Sequence, residues 1–291
     1  MTTEYRDIAL QHEVLGRKLQ TLIEDLLVAK AATFHVVTYR VKKEKSAWDK
    51  ISDPGNDYVE LLDLHDMLGI RVIAHLNAEV DSITSLLDGA FDFDLARNSD
   101  RRRGVKNKEF GYRSVHRVGT LDEGRLALPE WAPYRGLRFE IQIRTVLQHA
   151  WAQVEHDLGY KPDSSATPPE VERRFSRLSA LLEIADDEFD DLRRIMDANK
   201  TAAASAVKDG VDTGLDTDSY LELVAHSPVL LRVDRAVADA VGNVLKSEID
   251  SQGANARVEG LLEWGMDTTQ KVEEALNRYE KQLAAFAGVW V

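Results

Sequence analysis

Seven consecutive residues, RFEIQIR at 138–144, restrict the fold more than any other part of this chain. Phe139, Ile141 and Ile143 fall on one parity; Arg138, Glu140, Gln142 and Arg144 fall on the other. A period of two is that of a β-strand with one buried face. Its pairing register is strongly specified, because a slip by one residue would carry three charged groups and an amide into the core. A row of two guanidinium groups, a carboxylate and an amide is unusual for a strand face that only meets water, and it asks for a ligand.

The remaining composition narrows the class. The chain has 291 residues, 44% hydrophobic and 30% charged, enough for one large or two modest domains with a proper core. No run approaches the ~18 apolar residues of a membrane-spanning helix, and MTTEYRDIAL lacks the basic-then-apolar pattern of a secretory leader, so neither is expected. Cysteine is absent, which excludes disulfides and thiolate metal sites and makes the cytoplasm the expected compartment. A formal net charge of −13 argues against a nonspecific nucleic-acid binder. Two basic runs, VKKEKSAWDK and DRRRGVKNK, break that balance; each alone reads as a solvated loop, but both beside one pocket would read as anion ligands.

Helical spacing of Leu10, Val14, Leu15, Leu19, Leu22, Ile23, Leu26 and Leu27 predicts a helix over 4–32. FHVVTYRV (34–41), GIRVIAHL (69–76), YRSVHRVGTL and LRFEIQIRT read as strands; SAWDKI, YVELLDLHDML, EVDSITSLLDGAF and VLQHAWAQVEHDL read as helices, with Ser46 as the N-cap of the first. SDPGND (52–57) is a loop by its turn chemistry. Strands and helices thus alternate around one sheet over the first ~160 residues. A long helix is predicted over 170–200. The expected division is a domain at 1–200, a linker at 201–218 and a helical module at 219–291.

Four segments carry groups suited to chemistry. Arg40, Lys42, Ser46 and Lys50 leave a strand and enter a helix, which makes an anion site. Asp66, just before a strand that holds Arg71, is placed as a hard-cation ligand; Mg²⁺ often takes one or two carboxylates plus substrate phosphates. Tyr112, Ser114 and His116 share one strand face, an aromatic beside hydrogen-bonding groups, as a nucleobase requires. Glu140 is a second carboxylate, able to complete the Mg²⁺ site or to take a proton from an attacking hydroxyl. Taken singly, each has a plain structural reading; together they describe nucleotide chemistry.

In order, RVKKEKSAWDK, DMLGIR, GYRSVH, EIQIRT and HAWAQVEHDLGYK resemble the successive motifs of the RelA/SpoT family synthetase domain, over roughly residues 30–162. RRFSRLSALLEIADDEF resembles an extension found in some members. The resemblance implies an α+β, nucleotidyltransferase-like mixed β-sheet of about five strands wrapped by helices, here with a mostly helical C-terminal extension. It implies transfer of pyrophosphate from ATP to a ribose 3′-hydroxyl with Mg²⁺ as cofactor, the acceptor in most members being GDP or GTP and the product (p)ppGpp. By position, Arg40 and Arg71 would sandwich the adenine, and Lys42, Ser46 and Lys50 would hold the ATP phosphates. Asp66 and Glu140 would share the metal, with Glu140 as the alternative base and Gln142 beside it. Tyr112 would stack on the guanine, and Lys106, Arg113, His116 and Arg144 would orient the acceptor. His156 would join them, supported by His149, Glu155 and Lys161.

Several alternatives stand beside this. His65–Asp66 reads as HD, the mark of a hydrolase, but it lies inside a synthetase motif, so no hydrolase is expected. Many family members carry a lysine-asparagine-glycine-tyrosine pattern where this chain has KNKEFGY. A toxic member that pyrophosphorylates the 3′ end of tRNA, neutralised by the C-terminal module or a partner, is therefore the second reading. A catalytically dead nucleotide-binding regulator is the third. For the module at 219–291 two readings stand equally: a regulatory part that acts on the site, binds a protein regulator or forms a homo-oligomer contact, or a packing domain that merely stabilises.

Overall fold

Leu15, Leu19, Ile23 and Leu27 recur every four residues and are fully buried, so the first helix, α1 (Thr3–Ala29), presents one apolar stripe to the sheet. Each such side chain contributes about 1.5–3 kcal/mol of burial. Gly16 sits within that stripe. A Cβ there would come within 2.5 Å of the Tyr39 ring and 2.9 Å of Leu68 Cδ1, so only glycine lets α1 lie this close to the strands beneath it. This is a computed structural model; it describes residues 3–100, 114–158, 168–242 and 251–289.

After α1 come β1 (Val36–Val41), α2 (Glu44–Ser52) and β2 (Leu68–Ala74), then α3 (Asn77–Asp88). Two short strands follow, β3 (Asp92–Phe93) and β4 (Ser99–Asp100), then β5 (Val115–Thr120), α4 (Glu123–Leu126) and β6 (Phe139–Thr145). The helices α5 (Val146–Asp157) and α6 (Pro169–Lys208) complete this part. The sheet has six strands in the order β1-β2-β6-β5-β3, with β4 also paired to β5. β2 and β6 run parallel; the other pairs are antiparallel. The expected mixed sheet is therefore present, with two additional two-residue strands that no periodicity could announce.

The register sorts the two faces. Leu68, Ile70, Val72 and Ala74 of β2 and Phe139, Ile141 and Ile143 of β6 point to α1 and α3, where Val80, Ile83 and Leu87 close the core. On the opposite face, three rows cross the strands: Arg40–Gly69–Glu140–Val118, Thr38–Arg71–Gln142–His116, and Val36–Ile73–Arg144.

Two local expectations are corrected. The segment at 58–68 is not a helix; it holds one 3₁₀ turn, Leu61–Asp63, before β2. Asp63 Oδ2 accepts from the backbone N–H of Val59 and Glu60, both at 2.9 Å, which fixes a tight turn instead. Leu61, Leu64 and Met67 are buried from this turn with a three-residue spacing that imitates a helix in sequence. Ser46 is not an N-cap: α2 begins two residues earlier, with Lys43 at the cap position, and Ser46 lies exposed in the first turn.

The chain clusters into two units, Met1–Asp191 and Leu192–Val291. The stretch expected to be a linker is helical to Lys208 and again from Thr217. The second unit contains α7 (Thr217–His226), α8 (Pro228–Val241), α9 (Ser251–Glu263) and α10 (Thr269–Val289). Its own core gathers Leu215, Tyr220, Leu223, Ala254, Val258 and Val272. No helix among the described residues is long and apolar enough to cross a membrane.

Candidate active site

The polar face opens into a cleft of about 350 Å³ lined by Arg40, Lys42, Asp66, Gly69, Arg71, Glu140 and Gln142. All of these but Gly69 stand out in the sequence, and they come from β1, β2, β6 and the turn before β2. Gly69 is the addition. It forms the floor between Arg40 and Glu140, and a Cβ there meets nothing nearer than the Arg40 carbonyl at 3.8 Å. Gly69→Val is expected to fold normally while filling the cleft. The KM of the substrate that occupies this cleft should rise by about tenfold or more with the melting temperature unchanged within a few degrees; steady-state kinetics and a thermal melt check it.

Asp66 is the electrostatic hub of one side. Its Oδ2 accepts from Lys42 Nζ at 2.8 Å and Lys50 Nζ at 3.0 Å. Burial pushes its carboxyl up, but the two lysines reverse this and hold it below the ordinary carboxylate range. Its Oδ1 is buried with no hydrogen-bond partner among the described residues. Lys42 is itself placed by its backbone, whose carbonyl accepts from Tyr5 Oη at 2.6 Å.

Glu140 anchors the other side. Its Oε1 accepts from His116 Nδ1 at 2.7 Å and its Oε2 from Gln142 Nε2 at 2.8 Å, so β5 and β6 aim both partners by register. His116 Nε2 lies 2.7 Å from Ser114 Oγ, which extends the chain of polar contacts by one group. Burial pushes Glu140 up, yet these bonds win and keep it ionised below the usual range; the nearby Asp66 charge opposes them.

Cations surround the pair. Arg71 is half-buried; burial lowers its pKa and the neighbouring Arg40 lowers it further, while Glu140 opposes. Arg144 is 6% exposed, and burial brings it down to about 10, helped by Arg71. Its Nε has no hydrogen-bond partner among the described residues. His149 is also depressed by burial and by Arg144 and Arg71. The strand end that carries Arg144 is pinned by α6: buried Asp186 Oδ2 accepts from Thr145 Oγ1 at 2.7 Å, and Thr145 caps α5.

Other sequence candidates fall elsewhere. Lys50 reaches Asp66 without lining the cleft, and Ser46 does not line it either. His156 is exposed at the end of α5 and bonds Asp157 at 3.3 Å, so it is not brought to the cleft. Glu155 is partly buried and its carboxyl is raised by that burial. Lys106, Tyr112, Arg113 and Lys161 lie outside the described residues.

The donor set suits a hard divalent cation. Asp66 and Glu140 line one cleft, and Asp66 offers a buried oxygen that has no partner among the described residues. Among the described residues no group of three acidic or histidine side chains could hold a metal alone. Two carboxylates beside cations match a site whose remaining ligands are water and substrate phosphate.

Residues 39–165 match the model of the region found in RelA/SpoT proteins. The GTP pyrophosphokinase YjbM of Bacillus subtilis is 30% identical over 157 residues, which are 54% of this chain and 71% of that protein. The GTP pyrophosphokinase YwaC of the same organism is 27% identical over 125 residues, 42% of this chain and 56% of that one. A GTP pyrophosphokinase family protein from Streptococcus pneumoniae superposes with a TM-score of 0.55 at 26% identity, covering 67% of this chain and 96% of that structure. The small alarmone synthetase 1 of Bacillus subtilis shares the fold, with a TM-score of 0.57 at 24% identity, over 68% of this chain and all of that one. With one GTP pyrophosphokinase 30% identical and matched over 71% of its length, and with both carboxylates inside the region that fits the family model, the chain belongs to the RelA/SpoT family.

Proposed function

We propose that this chain is an ATP-dependent pyrophosphokinase that transfers the pyrophosphate of ATP to the 3′-hydroxyl of GDP or GTP, forming (p)ppGpp and AMP, with Mg²⁺ as cofactor. The observation that carries this is the convergence of Asp66 and Glu140 on one cleft lined by Arg40, Lys42 and Arg71. It is supported by relatives that are GTP pyrophosphokinases and by a small alarmone synthetase, alike in fold, solved with its product pppGpp.

The residues divide the work. Arg40 and Arg71 offer two planar guanidinium groups for stacking on the donor base. Lys42 and Lys50, which bond Asp66, are within reach of the donor phosphates. Glu140 accepts the proton of the attacking 3′-hydroxyl as its oxygen bonds the β-phosphorus; the bond from that phosphorus to the α,β-bridging oxygen breaks and AMP leaves. His116 and Gln142 keep Glu140 ionised and fix both of its oxygens for that step. A divalent cation held by Asp66 and Glu140 supplies, when bound, charge neutralisation for the polyphosphate.

The test is transfer of label from γ-labelled ATP by the purified full chain, with GDP, GTP and deacylated tRNA offered in parallel. Label is expected on the guanosine nucleotides, and a chelator should reduce turnover to background. Label on tRNA alone, or on no acceptor, would overturn the proposal.

A further inference from the structure

One cluster beside the cleft has no part in the mechanism above. His65, 6% exposed, immediately precedes Asp66. Its Nε2 lies 3.0 Å from Arg138 Nη1, and its Nδ1 lies 2.8 Å from Tyr58 Oη and 3.3 Å from Arg97 Nη1. Lys50 Nζ sits 5.3 Å from the Tyr58 ring centre. Two guanidinium groups thus converge on one imidazole, with no carboxylate between them among the described residues. Arg97 reaches Asp94 Oδ2 at 3.1 Å, with both side chains about half exposed. Arg138 forms no ion pair among the described residues and feels Asp63 only at longer range. Gathering like charges costs free energy, and an anionic ligand is what offsets it.

The place of the cluster says which anion. Strand order puts the donor-side cations on β1, β2 and α2, at one side of the carboxylates. Arg138 immediately precedes β6, the strand of Glu140 itself, and Arg97 lies between β3 and β4, both paired to β5 beyond it. Arg138 stands two residues before Glu140, about 7 Å along the chain. That is close to the span of one ribose. A sugar whose 3′-oxygen meets Glu140 therefore has its 5′ end within reach of Arg138.

Resting on the reading under Proposed function, we propose that Arg138, positioned by His65 and seconded by Arg97, binds the 5′-polyphosphate of the acceptor nucleotide and sets the preference for a phosphorylated acceptor. Arg138 is then a specificity residue that touches substrate; His65 acts through it.

Two measurements on the full chain test this: calorimetric binding of GDP, GTP and unphosphorylated guanosine without ATP, and acceptor kinetics with ATP saturating. In Arg138→Gln, affinity for GDP and GTP should fall about tenfold and acceptor KM rise equally, as for one lost charge-assisted bond. kcat should stay within about twofold, and guanosine binding and ATP KM should not move. His65→Leu should give part of that KM rise, and His65→Gln, which keeps an acceptor atom, should restore most of it. A thermal melt confirms folding of each variant. Unchanged GDP binding in Arg138→Gln, an equal loss for guanosine, or a shift in ATP KM instead would each overturn the subsite. If GDP binding depends on Arg138 but no label is transferred, the subsite stands and the proposed reaction falls. Label transfer with GDP binding indifferent to Arg138 has the reverse meaning.

Discussion

Glu140→Gln is expected to lower kcat by about 10²–10⁴-fold, the range of a positioned general base. The fold should survive. The substituted amide has the same shape as the carboxylate, its oxygen still accepts from His116 Nδ1, and the β6 register is held by the inward row of Phe139, Ile141 and Ile143. Asp66→Asn should fall at least as far, since it removes the charge shared by Lys42 and Lys50 and leaves two ammonium groups facing each other. The check is turnover beside a circular dichroism spectrum and a thermal melt. Near-normal turnover in either folded variant would remove both carboxylates from the chemistry.

The largest effect on stability is expected at Phe139→Ala, a loss of about 3–5 kcal/mol. Phe139 is fully buried in the central strand, with its ring 5.6 Å from that of Phe91 in an edge-to-face arrangement. Against a total of about 5–15 kcal/mol for a domain, the change leaves the first unit marginal. Urea denaturation followed by tryptophan fluorescence measures it, because Trp48, Trp131 and Trp151 all belong to that unit. A shift below about 1 kcal/mol would show that the inward row of β6 is not the centre of the core.

Strands and their polar parity are legible in the sequence because they depend on a local period of two. RFEIQIR and GIRVIAHL announce both faces of β6 and β2, and with them Arg71, Glu140 and Gln142. The helix expected at 58–68 fails because Leu61, Leu64 and Met67 are spaced as a helix would space them, while the side chain of Asp63 caps a tighter turn. β3 and β4 escape because two residues have no period. The bond from His116 to Glu140 is not visible either. It depends on which residue of β5 faces which residue of β6, and pairing register is a tertiary fact. His65 reads in sequence as half of an uninformative dipeptide; only the folded chain brings Arg138, 73 residues away, to its imidazole. Gly69 carries no signal at all, since an absent side chain matters only once its neighbours are known.

β6 is the last strand made, yet it lies between β2 and β5. During synthesis, the ribbon β1–β2 and the ribbon of β5 with β3 and β4 cannot be joined into one sheet until residue 145 has left the ribosome. Strand edges left unpaired invite wrong partners. Its arrival joins the ribbons and brings Glu140 to Asp66 in the same event. The cleft therefore has no half-built form: it lacks one of its two carboxylates until the central strand is inserted.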